Sequence, residues 1–440
     1  MRERPADSRG GGPGPRVHQP DGAKGLLSSF PEAKRSARAS GLASIVISSY
    51  NYCRYLREAI DSCLDQTYPD VEVIVVDDGS TDDSPRIIRS YGDRIRAIFK
   101  QNGGHASALN RGFQASRGEV VIFLDSDDAL LPTAVDTAVS LLRDPEVSTV
   151  RWQMLTMDPS SKVMAKRVPP DKLAYGDLRE ELLHEGPHHF PPTSGNAWAR
   201  WFLEKVMPIP EDLFRLGGGD LYLATLACLY GLVMAATGPE GIYRIHTDKY
   251  TLKQAYLDRL ELFTRMWDVS LETMASHAEA MGIRVDLEAL KRKGWWRRIG
   301  EAISDLRRVV PIGASYILVD DDFWGTGELL PGCSRKAFLE REGCYWGPPR
   351  DDETAIEALE DLRGQGASFL AFVWSSYWWF DCFPVFSKYL RDRYCCVLTN
   401  DRVTVFHLEG EQRDGKLRQP AGAGGKGGRG VFALGRRENP

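Results

Sequence analysis

Long apolar runs are missing from this 440-residue sequence. The best candidate, "LYLATLACLYGLVMAATG" from Leu221, is broken by Gly231 and followed by a turn and "IYRIH". It falls short of the roughly 20 apolar residues that a membrane-spanning helix needs, and reads as a buried helix ending near Gly231 followed by a short strand. Cysteine motifs are missing too: the eight cysteines show neither CxxC nor Cys/His spacing, which removes the usual signature of a structural zinc site. With no signal peptide in this sequence, free thiols in a reducing cytoplasm are the expectation. There is no basic excess. A formal net charge of −5 gives no whole-protein reason to expect nucleic acid as a partner. No internal repeat with a period of 20 to 50 residues stands out.

What is present is the composition of a soluble globular protein, 42% hydrophobic and 27% charged, long enough for two or three domains. Residues 1–40 are rich in Gly, Pro, Arg and Ser without apolar periodicity and are expected to be disordered. Residues 41–252 alternate strand-like and helix-like segments. Residues 253–308 read as a helical connector, 309–409 as a smaller α/β domain, and 410–440 as a disordered, Gly-rich, basic tail. That tail is read as solvated, with contact to acidic lipids, and so peripheral membrane association, as the alternative.

The first long region has strands in "ASIVISSY", "VEVIVVDD", "IRAIFKQ" and "EVVIFLD", separated by the helical segments "YLREAIDSCLDQ", "SPRIIRSYG" and "HASALNRGFQAS". This order implies an α/β, Rossmann-like domain with a mostly parallel sheet, whose ligands bind at the carboxyl ends of the strands. Two acidic clusters fall there: Asp77-Asp78 and Asp125-Ser-Asp127-Asp128. Crowded carboxylates are unfavourable without a compensating cation or full solvation, so "VVIFLDSDDA" suggests a divalent metal. A nucleotide can lie across the strand tips. Tyr50 would stack on the base, Asp78 would accept from a base N–H, and Ser80 or Thr81 would cap the following helix. Amides near Gly103 and Gly104 would approach phosphates, and Asp127 would hold a metal that neutralises a diphosphate.

Taken together, "SIVISSYNYCRYLREAIDSCLDQTYPDVEVIVVDDGSTDDS", "NGGHASALNRGF" and "VVIFLDSDDALLP" resemble the successive signatures of the family 2 glycosyltransferases, which have the GT-A fold. The resemblance runs from about Ala43 to Tyr250. It implies an inverting transfer of sugar from a nucleotide-diphosphate donor, a UDP-sugar above all, to a hydroxyl of a glycan or lipid-linked acceptor. It implies nucleotide-sugar contacts from Ser48, Tyr50, Asp78, Asn102 and Asp125, and a Mn²⁺ or Mg²⁺ cofactor held by Asp127 or Asp128, with His246 of "YRIHTDKYT" as a further metal or diphosphate contact. The general base falls on Asp220 in "GGGDLYLATLACLYG". The family usually has Glu-Asp there and this chain has Gly219-Asp220. The position before Asn110 that often carries Arg is Leu109. The resemblance also implies a cytoplasmic protein, at most peripheral at the inner membrane face.

Duller readings stand beside these. Asp77 and Asp78 would merely build a turn, Asp220 would be an N-cap after three glycines, Tyr50 would pack, and His246 would be structural. His184, His188 and His189 read as surface-loop residues rather than metal ligands. The aromatic set "VWSSYWWF" reads as core or interdomain contact in preference to a sugar platform. "VDDDFWG" is a further acidic strand end. A non-catalytic nucleotide-sugar or glycan-binding module, or a metal-dependent nucleotidyltransferase, is the alternative function.

Overall fold

The structure is a computed structural model that describes residues 41–158, 160–187, 190–245, 260–321, 324, 329–341, 344–345 and 347–409. The expected termini, part of the connector, His188, His189 and His246 lie outside the described residues.

The chain opens with β1 (Ala43–Ser49), α1 (Cys53–Leu64), β2 (Val71–Asp77), α2 (Ser84–Ser90), β3 (Arg96–Phe99), α3 (His105–Ala115) and β4 (Val120–Asp125). β1, β2 and β4 are near-continuous apolar runs because helices cover both faces, whereas β3 is a mostly exposed edge strand. β1 is buried along its whole length, and α1 buries Leu56, Ala59, Ile60 and Cys63 at helical spacing. α2 begins later than "GSTDDS" suggested. Asp82 accepts the Ser84 amide, while the Ser80 amide turns back to Asp77, so neither Ser80 nor Thr81 caps that helix.

After β4 come β5 (Ala129–Leu130), α4 (Ala134–Leu141), β6 (Val147–Arg151), β7 (Met154–Met157), β8 (Val163–Val168), α5 (Arg179–Glu185), β9 (Asn196–Ala199), α6 (Arg200–Val206), α7 (Gly219–Tyr230), β10 (Leu232–Ala235) and β11 (Gly241–Arg244). The main sheet has the order β10-β6-β9-β4-β1-β2-β3. All its pairings are parallel except the two made by β9. The α/β, mostly parallel expectation for this region is met. Register sets Ser48 beside Asp125 and Ser49 beside Asp77, so the acidic clusters share one edge. A small sheet, β5-β11-β7-β8, sits beyond β4 and brings Arg244 back to Asp128.

The helices α8 (Leu260–Ala280), α9 (Leu287–Lys293) and α10 (Trp295–Val309) follow. Met266, Leu271, Met274 and Leu290 join the core around α3 and α7. Ile299, Ala302, Ile303 and Leu306 of α10 pack with the last part of the chain. That part holds β12 (Ser315–Val319), β13 (Ser334–Ala337), β14 (Glu340–Arg341), β15 (Cys344–Tyr345), α11 (Asp352–Gly364), β16 (Phe369–Val373), α12 (Trp379–Cys382), α13 (Pro384–Arg393), β17 (Cys395–Thr399) and β18 (Val403–His407). Its sheet runs β13-β12-β16-β18-β17. Asp320 and Asp321, at the end of β12, are engaged with neutral and basic partners. Asp320 accepts from Trp324 and Arg335, and Asp321 accepts from Ser376 and the indoles of Trp378 and Trp379.

Close approach of α3 to the main sheet depends on Gly112, where an added Cβ would lie 2.1 Å from Val46 Cγ1. Overpacking of this kind typically costs about 1–3 kcal/mol. Gly112→Ala should therefore destabilise by that amount in urea unfolding, and adding Val46→Ala should recover part of the loss through their shared volume. Strictly additive single effects would mean the helix shifts freely.

Candidate active site

Five apolar residues carry β4 through the core, and its last residue, Asp125, emerges half-buried. Ser194 Oγ accepts the Asp125 amide at 3.1 Å. His105 Nε2 stands 2.9 Å from Asp125 Oδ1, with Ser48 Oγ at a longer 3.4 Å. Asp127 is also half-buried, whereas Asp128 is turned inward at 2% exposure. Asp128 Oδ1 accepts the Arg244 amide at 2.9 Å, and its Oδ2 is buried without a partner. The Arg244 guanidinium, 1% exposed, ties this loop in place through the Asp127 carbonyl, Glu58 at 2.5 Å and Ser161. It also lies 4.2 Å over the Tyr55 ring.

The electrostatics follow from that crowding. Burial, and then the charges of Asp127 and Asp125, push the Asp128 carboxyl well above the usual carboxylate range. Burial raises Asp220 as well, with Asp125 adding to the effect and the Leu221 amide and His105 opposing it. His105 moves upward: burial disfavours its charge, but Asp125, helped by Asp220 and Asp127, outweighs burial. Burial and the same carboxylates push the Tyr52 hydroxyl to about 12 and raise Tyr243 further. Asp125, Asp127, Asp128, Asp220, His105, Tyr52 and Tyr243 thus form one electrostatic unit.

Asp220 lies in the first turn of α7, whose N-cap is Gly218, so it is not the cap itself. Its Oδ1 accepts the Leu221 amide at 2.9 Å. The preceding loop is fixed to α3: the amides of His105 and Ala106 donate to the carbonyls of Arg215 and Phe214. Gly104 makes this approach feasible. It has φ +94°, and a Cβ there would meet Arg215 Cγ at 2.3 Å.

The end where the sequence reading places a nucleotide base is built differently from the expectation. Asp78 is 2% exposed, and its carboxylate accepts from Lys100 Nζ at 2.5 Å, the Gly103 amide at 2.9 Å and the Gly104 amide at 2.7 Å. Those amides are therefore directed at Asp78 and are not an open phosphate cradle. Tyr50 is 46% exposed at the tip of β1, where its ring is free to stack. Asn102 is exposed and accepts from Arg215. His184 lies in α5, with its carbonyl bonded to Lys293.

A hard divalent cation suits this donor set, which is all oxygen, anionic and contains an orphaned buried carboxylate oxygen. Among the described residues no group of three ligating side chains is preassembled. Such an ion would therefore take one or two carboxylates here and the rest of its ligands from phosphate and water. His105, Ser194, Arg215, Tyr52, Tyr243 and Arg244 escaped the sequence reading. A histidine opening a helix after Gly-Gly, and the Arg of "YRIH", were the available signals.

With this geometry in hand, the comparison is direct: residues 44–198 match Glycosyl transferase family 2. The chain carries a family 2 glycosyltransferase domain. An uncharacterized glycosyltransferase of Nostoc sp. is 38% identical over 208 residues, 46% of this chain and 64% of that protein. The chondroitin synthase of Pasteurella multocida is 34% identical over 180 residues, 39% of this chain and 18% of that protein. The chain thus spans less than two thirds of either relative. S. aureus TarS 1-349 resembles it with a TM-score of 0.40 and 17% identity, over 59% of this chain and 74% of that one; nothing about donor or acceptor follows from a likeness that weak. No helix among the described residues is long and apolar enough to cross a membrane.

Without metal, Asp128 makes stability fall with pH. Its folded pKa is raised, so the folded state holds a proton that the unfolded chain releases above the ordinary carboxylate value of about 3.9. Stability is then full below that value and declines until pH passes the folded value, by about 1.4 kcal/mol per unit of separation. Asp128→Asn should flatten this decline in metal-free urea titrations between pH 4 and 8. An unchanged slope would show that Asp128 is ionised at no cost.

Proposed function

We infer that the chain transfers a sugar, with inversion, from a nucleotide-diphosphate donor to a hydroxyl of a glycan or lipid-linked acceptor, with Asp220 as general base. The observation that carries this reading is the convergence of Asp220, His105 and Asp125 at the carboxyl ends of the sheet, in a domain of the glycosyltransferase family. Two roles are needed. One is an acid-rich end that meets a metal–diphosphate, the other a separate carboxylate that takes the acceptor proton.

In this reading Ser48, Tyr50 and Asn102 line the donor, with Tyr50 stacking on the base. Asp78 acts from beneath: it holds the 103–104 turn and Lys100 in place, and it reaches the base only beside the three donors it already accepts. Asp125 is oriented by Ser194 and His105. Asp127, the more exposed of the paired acids, is the favoured ligand for Mg²⁺ or Mn²⁺, with Asp128 as neighbour. A bound divalent ion would stabilise negative charge on the leaving diphosphate. Asp220 removes the hydroxyl proton as oxygen attacks the anomeric carbon opposite the diphosphate, through an oxocarbenium-like transition state. A carboxylate with raised pKa is the better base for that step. UDP is the favoured donor nucleotide. The acceptor side gains support from the similarity to a chondroitin synthase, consistent with polysaccharide synthesis. A cytoplasmic location, peripheral to the inner membrane face, goes with a lipid-linked acceptor.

Gly219, where the family usually has an acid, favours a second reading as a non-catalytic nucleotide-sugar-binding module. Asp220→Asn separates the two. The enzyme reading expects kcat to drop by about 10²–10⁴ while nucleotide affinity is kept. The wild-type rate should also fall as pH drops through the raised pKa of Asp220, because only the deprotonated form accepts a proton. Undiminished turnover in the variant would remove Asp220 from the base role.

A further inference from the structure

A donor diphosphate needs cationic or amide partners, and most of the candidates around this site are already committed. The Gly103 and Gly104 amides are given to Asp78, and the first two amides of α3 to the carbonyls of Arg215 and Phe214. Lys100 is bound to Asp78, His105 to Asp125, and Arg244 is buried against Glu58. Leu109, which stands where the family often has Arg, is buried in the core beneath α3 and offers no charge.

Arg215 is different. It is exposed, and its Nη2 donates to Asn102 Oδ1 at 2.6 Å and to the Asn102 carbonyl at 3.4 Å. Among the described residues its Nε and Nη1 make no hydrogen bond and no carboxylate pairs with it. The loop it covers, residues 102–105, is bonded at one end to Asp78 through the Gly103 and Gly104 amides. At the other end it meets Asp125 through His105. A nucleotide lying from the Tyr50 end to the Asp127 end would carry its diphosphate across this loop. The main chain of Arg215 is fixed there by its carbonyl bond to the His105 amide at 2.8 Å, so the guanidinium is delivered from the loop that leads into α7 and Asp220. A planar guanidinium with free N–H groups binds phosphate oxygens in pairs.

We propose that Arg215 is a donor-diphosphate anchor, supplying from the loop before the general base the cation that Leu109 does not provide. This rests on the nucleotide-donor reading above and deepens it: the ligand of Arg215 is the diphosphate of a nucleoside diphosphate, with Asn102 holding the side chain ready in its absence.

The test is calorimetric titration of the full chain, with Mn²⁺, using UDP, GDP and their nucleosides uridine and guanosine. It compares wild type, Arg215→Ala and Arg215→Lys. For the nucleotide that wild type binds, Arg215→Ala should weaken affinity about ten-fold or more, the scale of losing a charged hydrogen-bonded contact, and Arg215→Lys should weaken it less. Nucleoside affinity should stay the same in all three proteins, and so should the thermal midpoint without ligand. Equal loss of nucleoside and diphosphate affinity would assign Arg215 a purely structural role and overturn the proposal. Unchanged diphosphate affinity in Arg215→Ala would also overturn it while leaving the donor reading intact. Failure of wild type to bind either diphosphate, or dTDP or ADP titrated in their place, would instead remove the donor reading, and the proposal with it.

Discussion

The constraint on which the rest of the molecule turns is negative charge crowded at the end of a buried strand. Asp125, Asp127 and Asp128 emerge from β4 where water is partly excluded, and Asp220 approaches from α7. Carboxylates so placed repel one another unless cations and amides are brought to them. Much of the surrounding architecture performs that service. β11 returns antiparallel to β5 and delivers the Arg244 amide to Asp128. α3 starts with His105 beside Asp125. The segment ahead of β9 lends Ser194 to the Asp125 amide. Compensation is still incomplete, as the orphaned Asp128 Oδ2 and the raised Asp128 and Asp220 carboxyls reveal. Under the donor reading, a bound metal, shared with the diphosphate, would supply the missing compensation.

A second consequence is the joining of distant segments into one hydrogen-bonded body. Gly104, at φ +94°, lets the 103–105 turn pack onto the Arg215 main chain. Asn110 then locks α3 to the loop before it by exchanging hydrogen bonds with both backbone groups of Ile209. The start of α3 and the segment that leads to Asp220, about a hundred residues apart in sequence, are therefore bonded to each other. Asp78 belongs to the same body, since it grips the turn from below through Gly103, Gly104 and Lys100.

How much of this was legible in the sequence depends on whether each feature is local. Strands buried on both faces, α1 with apolar residues at helical spacing, and acids at strand ends are local patterns, and they led to the α/β order and the acidic edge. The expectation for Gly103 and Gly104 misassigned their partners because a glycine-rich turn advertises free amides without saying which side chain, 25 residues away, will take them. Arg244 was overlooked beside His246 because its burial against Glu58 is a tertiary fact. "VDDDFWG" reads in the sequence only as an acidic strand end, because the two indoles and the serine that donate to Asp321 come from more than fifty residues away. Ser80 and Thr81 looked like caps from their place after the glycine, but their amides go to Asp77 and Asn51 and α2 starts only at Ser84.

The most direct test of the central claim is thermal unfolding of the full chain with UDP, dTDP, GDP and ADP, each with and without Mn²⁺, for wild type and Asp127→Asn. Ligand at about 100 times its Kd adds roughly 2.7 kcal/mol, which is several degrees for a domain of this size. A metal-dependent upward shift with one nucleoside diphosphate, abolished in Asp127→Asn, is the predicted result. A folded wild-type protein whose midpoint moves with none of the four, with or without metal, would contradict it.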